Sequence, residues 1–131
     1  MTRQEVRTED APRPAGAYSQ GIVANGFLYT AGFGPQDPRT GEVADTIEEQ
    51  TAQVIRNVEA VLVAQGLTLA DVVKATVHLQ HLHRDFAGFN ATYESLLPKP
   101  YPVRTTVGSD LANILVEIDV VAALPDGRTG E

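Results

Sequence analysis

Arg104 and Glu117 are the two charged residues whose surroundings point to chemistry. Arg104 lies in Val103-Arg104-Thr105-Thr106-Val107, directly after the proline-rich run Pro98-Lys99-Pro100-Tyr101-Pro102. Prolines hold the chain extended, and β-branched residues around an arginine favour a strand. Alternation then sends Arg104 out of the sheet on the side opposite Val103, Thr105 and Val107. A guanidinium fixed in this way offers two parallel hydrogen bonds to a carboxylate. The same residue serves equally as a surface arginine or as a structural partner of Glu117 or Asp119. Glu117 sits between Val116 and Ile118, a carboxylate in apolar company. Burial there would raise its pKa toward the range useful for general acid–base work. A pairing with Arg104, or exposure to water, would leave it structural.

The other chemical signals are weaker. His78, His81 and His83 are spaced by three and two residues, which is not the H-E-x-x-H zinc arrangement. No converging ligands are indicated elsewhere, so the expectation is solvated or structural histidines and no metal. Gly32-x-Gly34 and Gly108 belong to neither phosphate-binding glycine pattern, and Gly32 and Gly34 read as turn residues. Ser19 and Ser109 have no readable serine–histidine–acid arrangement around them. The chain has no cysteine, which removes disulfides, thiolate metal sites and cysteine nucleophiles.

These residues need elements to position them. Asn25-Gly26, between Tyr18–Ala24 and Phe27–Ala31, supplies the backbone of a tight hairpin. The first fifteen residues are polar and form an irregular arm or a short edge strand. Gly32 to Gly41 is loop. Thr46 caps a helix with Glu49 completing a capping box, and Ile47, Thr51, Val54, Val58, Val61 and Leu62 form its apolar stripe. Gly66 ends it. Thr68 to Asp71 allows one further helical turn. A strand over 72–80 sends Val73, Ala75, Val77 and Leu79 one way and Lys74, Thr76 and His78 the other. A second helix fits 84–97, with Phe86, Phe89, Tyr93, Leu96 and Leu97 as its packing face. Strands over 103–107 and 115–123 follow, then a loose tail, PDGRTGE.

The order predicts an α+β fold, a mixed β-sheet with two helices packed on one face, formed by a single domain. Two helices cannot cover both sides of a sheet. Leu115 and Val121 should face away from them beside Glu117 and Asp119, so the outer face is expected to meet another subunit.

Composition limits the partners. The chain of 131 residues carries 10 Lys and Arg against 17 Asp and Glu, a formal charge of −7. That balance, with basic residues scattered from Arg3 to Arg128, argues against general nucleic-acid binding. No apolar run is long enough to span a membrane, and the N-terminus lacks a secretion signal, so a cytoplasmic location is expected.

Taken together, several segments resemble the RidA (YjgF) family. They are Gly16-Ala17-Tyr18-Ser19-Gln20, Asn25-Gly26 with Leu28-Tyr29-Thr30-Ala31-Gly32, and Asp37-Pro38-Arg39-Thr40-Gly41. Gln50 to Asn57, Phe89-Asn90-Ala91-Thr92-Tyr93, Pro102-Val103-Arg104 and Val116 to Ala122 complete the set. Their shared order and spacing carry the resemblance, which runs from about residue 16 to 122. It implies a chorismate-mutase-like fold, a homotrimer with pockets between subunits, and cofactor-free hydrolysis of small enamino and imino acids such as 2-aminoacrylate. The resemblance assigns carboxylate binding to Arg104 and water handling to Glu117. Tyr18 and Asn90 would line the pocket, and Thr106 would contribute a backbone contact. Where the family has a serine–glycine–glutamine segment this chain has Ala31-Gly32-Phe33, so Ala31 and Phe33 are the substrate-side departures. Thr106 stands where the family has a pocket cysteine. The alternatives are a non-enzymatic small-acid binding or regulatory protein, RNA cleavage, and deamination of a larger pathway-specific enamine.

Overall fold

The Asn25-Gly26 pair closes the first hairpin with both residues at positive φ, +54° and +84°. That geometry matches the twist of the two strands it joins. The structure is a computed structural model that describes residues 2–125. In it the hairpin consists of β2 (Gly21–Ala24) and β3 (Phe27–Thr30). The preceding arm contributes an edge strand, β1 (Gln4–Val6), antiparallel to β2. The tail from 126 onward lies outside the described residues.

Helix α1 (Ile47–Ala64) begins at Thr46, whose Oγ1 accepts the Glu49 amide at 3.1 Å. The expected capping box is only half formed, because the Glu49 carboxylate accepts the Thr46 hydroxyl at 3.0 Å instead of closing on the backbone. All six residues of the expected stripe are buried. Gly66, at φ +76°, ends the helix as Leu67 N–H donates back to Leu62 C=O and Gly66 N–H to Val63 C=O. A single 3₁₀ turn, Leu69–Asp71, leads into β4 (Val72–Leu79).

Helix α2 (Leu82–Leu96) is followed by β5 (Val103–Gly108) and β6 (Val116–Ala123). The six strands form one sheet in the order β1-β2-β3-β6-β4-β5. β4 and β5 are parallel and the other pairs antiparallel. The last described strand therefore lies at the centre of the sheet. Val116, Ile118, Val120 and Ala122 of β6 meet Val54, Val58, Val61 and Leu62 of α1 in one apolar core.

Three expectations about faces need correction. Val73 is exposed, because a bulge between Val72 and Lys74 puts Val72 in the core in its place. On α2 the buried residues are Asp85, Phe89 and Tyr93, while Phe86 and Leu96 reach solvent. The helix starts two residues earlier than its apolar pattern suggests. Leu115 does not face outward: it precedes β6 and leans on the core, leaving Val121 on the outer face. That face also presents Phe27, Tyr29, Val103 and Val107, all exposed, and Val103 is 66% exposed.

Candidate functional site

Arg104 and Glu117 leave the sheet on opposite faces. Arg104 is in register with Ala75 of β4, whose side chain is buried under the helices. Glu117 is in register with His78, and its neighbours Val116 and Ile118 take the inner face, so its carboxylate projects outward. A structural pair between them is thereby excluded. Among the described residues the Arg104 side chain makes no hydrogen bond or salt bridge.

The Arg104 guanidinium lies instead over aromatic rings of α2. Its carbon is 4.7 Å from the Tyr93 ring centroid, 5.3 Å from Phe89 and 5.8 Å from Phe86. Such ring faces attract a cation and leave the guanidinium N–H edge free to donate. Around it is a hollow of about 330 Å³ lined by Asn90, Tyr93, Glu94, Tyr101, Pro102 and Arg104. Burial holds the Tyr93 phenol above its usual pKa, with the positive charge of Arg104 acting the other way. Tyr101 Oη donates to Glu94 C=O at 3.4 Å, joining the post-helix segment to the last turns of α2. Thr106 lies two residues along β5 from Arg104, on the same face, and does not line this hollow.

The second hollow, on the outer face, is about 750 Å³. Glu117 lines it with Tyr18, Ser19, Tyr29, Ala31 and Gly32. Gly32 lets the carboxylate sit close: a Cβ at this position would fall 2.8 Å from Glu117 Oε2 and 2.9 Å from its Cδ, so that side chain would have to turn aside. The carboxylate thus packs directly against bare backbone. Tyr18 is half exposed, and its hydroxyl accepts the Ala15 amide at 2.9 Å.

Buried amides fix the segments on either side of the chain that lines this hollow. Gln20 accepts the Thr8 N–H at 2.8 Å and donates to the carbonyls of Thr8, Ala11 and Pro12, pinning the arm beside Tyr18. Asn57 of α1 donates to Gly34 and Gln36 C=O, both at 3.0 Å. Phe33 makes a reciprocal backbone bridge with Ile118, and its side chain is 5% exposed. Phe33 is therefore a core residue of its own subunit, a correction to its assignment as a substrate contact. Ala31 remains at the rim, its N–H donating to Gln20 C=O.

Sequence reasoning left two features unassigned. Tyr101 and the ring stack under Arg104 were legible only as a proline-rich segment and a packing face. His78 and Ser109 are paired after all, with Nδ1 and Oγ 2.6 Å apart, because the parallel β4–β5 register carries Ser109 past the end of β5 to His78. Asp119 shares the outer face. Burial pushes its carboxyl above the ordinary range, against the pull of His78 and Lys74. Among the described residues no three His, Asp or Glu side chains gather as a metal site, and no helix is long and apolar enough to cross a membrane.

Comparison with known proteins gives one consistent answer. The sequence profile described as Endoribonuclease L-PSP matches residues 8–124. A RutC family protein of Pyrococcus horikoshii is 41% identical over 123 residues, covering 92% of this chain and 97% of that protein. The 2-iminobutanoate/2-iminopropanoate deaminase of Salmonella typhimurium is 37% identical over 124 residues, covering 89% and 94%. The crystal structure of RidA from an Antarctic Psychrobacter superposes with a TM-score of 0.87 at 34% identity, covering 92% of this chain and 99% of that one. With this fold, and with a match that runs through both hollows, the chain belongs to the endoribonuclease L-PSP family, also known as the YjgF/RidA family.

Proposed function

We propose that this protein is an imine deaminase that hydrolyses small 2-imino carboxylates, formed from enamines such as 2-aminoacrylate, to 2-oxo acids and ammonia. The observation that carries the reading is the Arg104 guanidinium, held on three rings with no acidic partner among the described residues. A strand-fixed arginine in that state is a ready receptor for a carboxylate. The Salmonella relative named for this chemistry supports it.

In the proposed reaction Arg104 holds the substrate carboxylate and limits its orientation, with Asn90 beside it. Glu117 takes a proton from water as the oxygen bonds to the carbon of the protonated imine, giving a carbinolamine. It passes that proton to the amino nitrogen and accepts the hydroxyl proton as the C–N bond breaks, C=O forms and ammonia leaves. Tyr18 and the backbone around Ala31-Gly32 shape the water side. Nothing in these steps calls for a metal or organic cofactor.

Because Arg104 and Glu117 occupy opposite faces of one subunit, this reading requires subunits to combine. A homotrimer, its sites assembled between protomers, brings the Arg104 hollow of one copy to the Glu117 hollow of the next. The exposed outer face with Phe27, Tyr29, Val103 and Val107 supplies apolar area for the contact. Light scattering over a micromolar concentration series should give three times the chain mass, and a monomer throughout would defeat the proposed assembly.

The same separation favours a second reading, carboxylate binding without hydrolysis. Purified protein supplied with freshly generated 2-aminoacrylate and larger imino acids separates the two. Faster release of 2-oxo acid, abolished in Arg104→Ala, supports the deaminase; saturable binding without acceleration supports the binding protein. RNA cleavage is disfavoured by the net charge of −7 and the scattered basic residues.

A further inference from the structure

We infer that Tyr93 is a positioning residue for Arg104, acting through its ring face and not through its hydroxyl. The inference rests on the reading of Arg104 as the carboxylate anchor. Tyr93 lies one helical turn beyond Phe89, which follows Phe86 by three residues, so the three side chains line the strip of α2 that faces Arg104 at the start of β5. The Tyr93 ring is the nearest of the three to the guanidinium carbon, at 4.7 Å. Phe89 and Tyr93 are tilted against each other with centroids 5.5 Å apart, and Phe86 meets Phe89 at 6.4 Å. The three therefore form one continuous surface.

An arginine is commonly oriented by a carboxylate, which occupies the same donors that a substrate needs. Here the rings hold the cation and leave the donors unused. The Tyr93 side chain is 5% exposed, and its hydroxyl is a buried polar atom without a hydrogen-bond partner. The hydroxyl is thus not engaged in any contact that would explain the residue, whereas the ring is in contact with both Phe89 and Arg104. On this account an aromatic ring is the requirement at position 93, and phenylalanine satisfies it.

The test uses full-length protein and two readouts. Arginine side-chain NMR follows the Nε–Hε resonance of Arg104, identified by its loss in Arg104→Lys. Calorimetry follows binding of 2-oxobutanoate, a stable 2-oxo acid. In Tyr93→Phe the resonance should keep its ring-shifted position and the affinity should stay unchanged. In Tyr93→Leu the resonance should move toward that of a solvated arginine and affinity should fall about tenfold. Should Tyr93→Leu fail to fold, Phe86→Leu replaces it, since Phe86 is 39% exposed and lies at the other end of the ring surface. It should shift the same resonance and weaken binding by about threefold.

A folded Tyr93→Leu, or Phe86→Leu in its stead, with wild-type resonance and affinity would overturn the inference. So would a Tyr93→Phe that behaves like Tyr93→Leu, since the hydroxyl would then be the active part. If wild-type protein binds no 2-oxo acid, the carboxylate-anchor reading falls. The resonance still decides whether the rings hold Arg104.

Discussion

The two hollows hold opposite charges by opposite means. In the first, a cation rests on aromatic rings and keeps its donors free. In the second, a carboxylate lies against the bare backbone of Gly32. The first is built from α2, the proline-rich segment that follows it and the start of β5. The second depends on loops and an N-terminal arm fastened by the buried amides of Gln20 and Asn57. Neither hollow of a single subunit contains both Arg104 and Glu117.

The sharpest way to test that division is Glu117→Gln. General acid–base catalysis contributes roughly 10²–10⁴-fold, so kcat should fall on that scale while KM changes little. Rates must be measured per intact oligomer. Near-normal turnover would remove Glu117 from the chemistry and leave Arg104 as evidence of binding alone. Arg104→Lys should follow, with a loss of roughly 2–5 kcal/mol in transition-state stabilisation if the carboxylate is desolvated there. Lysine keeps the charge but loses the planar pair of donors. Equal kcat/KM in the assembled variant would dissolve the contrast between the hollows.

Gly32→Ala sharpens the comparison from the other side. The added methyl group must turn the flexible Glu117 carboxylate away from the Gly32 backbone, at little cost in stability. Imine hydrolysis should drop while calorimetric binding of 2-oxo acid at Arg104 is retained. Loss of both together would show the two hollows to be one mechanical unit.

The smallest effect concerns Asp119, partly buried on the outer face. Its raised pKa means that the folded state favours the protonated carboxyl. The associated stability is fully present below the ordinary aspartate range and is lost as pH rises through the raised value. Asp119→Asn should therefore raise the thermal midpoint slightly at pH 7 and leave it unchanged near pH 3. A lower midpoint at pH 7 would mean that the ionised form is wanted, paired with His78 or Lys74.

Local rules made much of the fold legible. The Asn25-Gly26 turn, the Thr46 cap, the Gly66 stop and the alternation along β6 each depend on neighbours in sequence, and each is formed. What failed depended on partners distant in sequence. Val73 alternates correctly on paper, yet the bulge opposite β6 turns it outward. Phe33 sits in loop chemistry, yet its bridge to Ile118 draws it into the core. Arg104 and Glu117 were legible as unusual residues, and the side on which Arg104 leaves its strand followed from alternation. Their placement on opposite faces was not legible, since it needs the register of three strands at once. The His78–Ser109 pair was missed for the same reason.

The central position of β6 has a consequence for synthesis on the ribosome. β3 and β4 both pair with a strand that begins 37 residues or more after either has ended, and until residues 116–123 emerge each has an open edge. The hairpin and α1 can form early, but the nascent sheet remains in two pieces with unpaired backbone along the gap. Closing that gap is a long-range event, slow by comparison with any helix or hairpin in the chain. The exposed interval is therefore longest for the strands that later flank Glu117, and crowding of nascent chains would be felt there first.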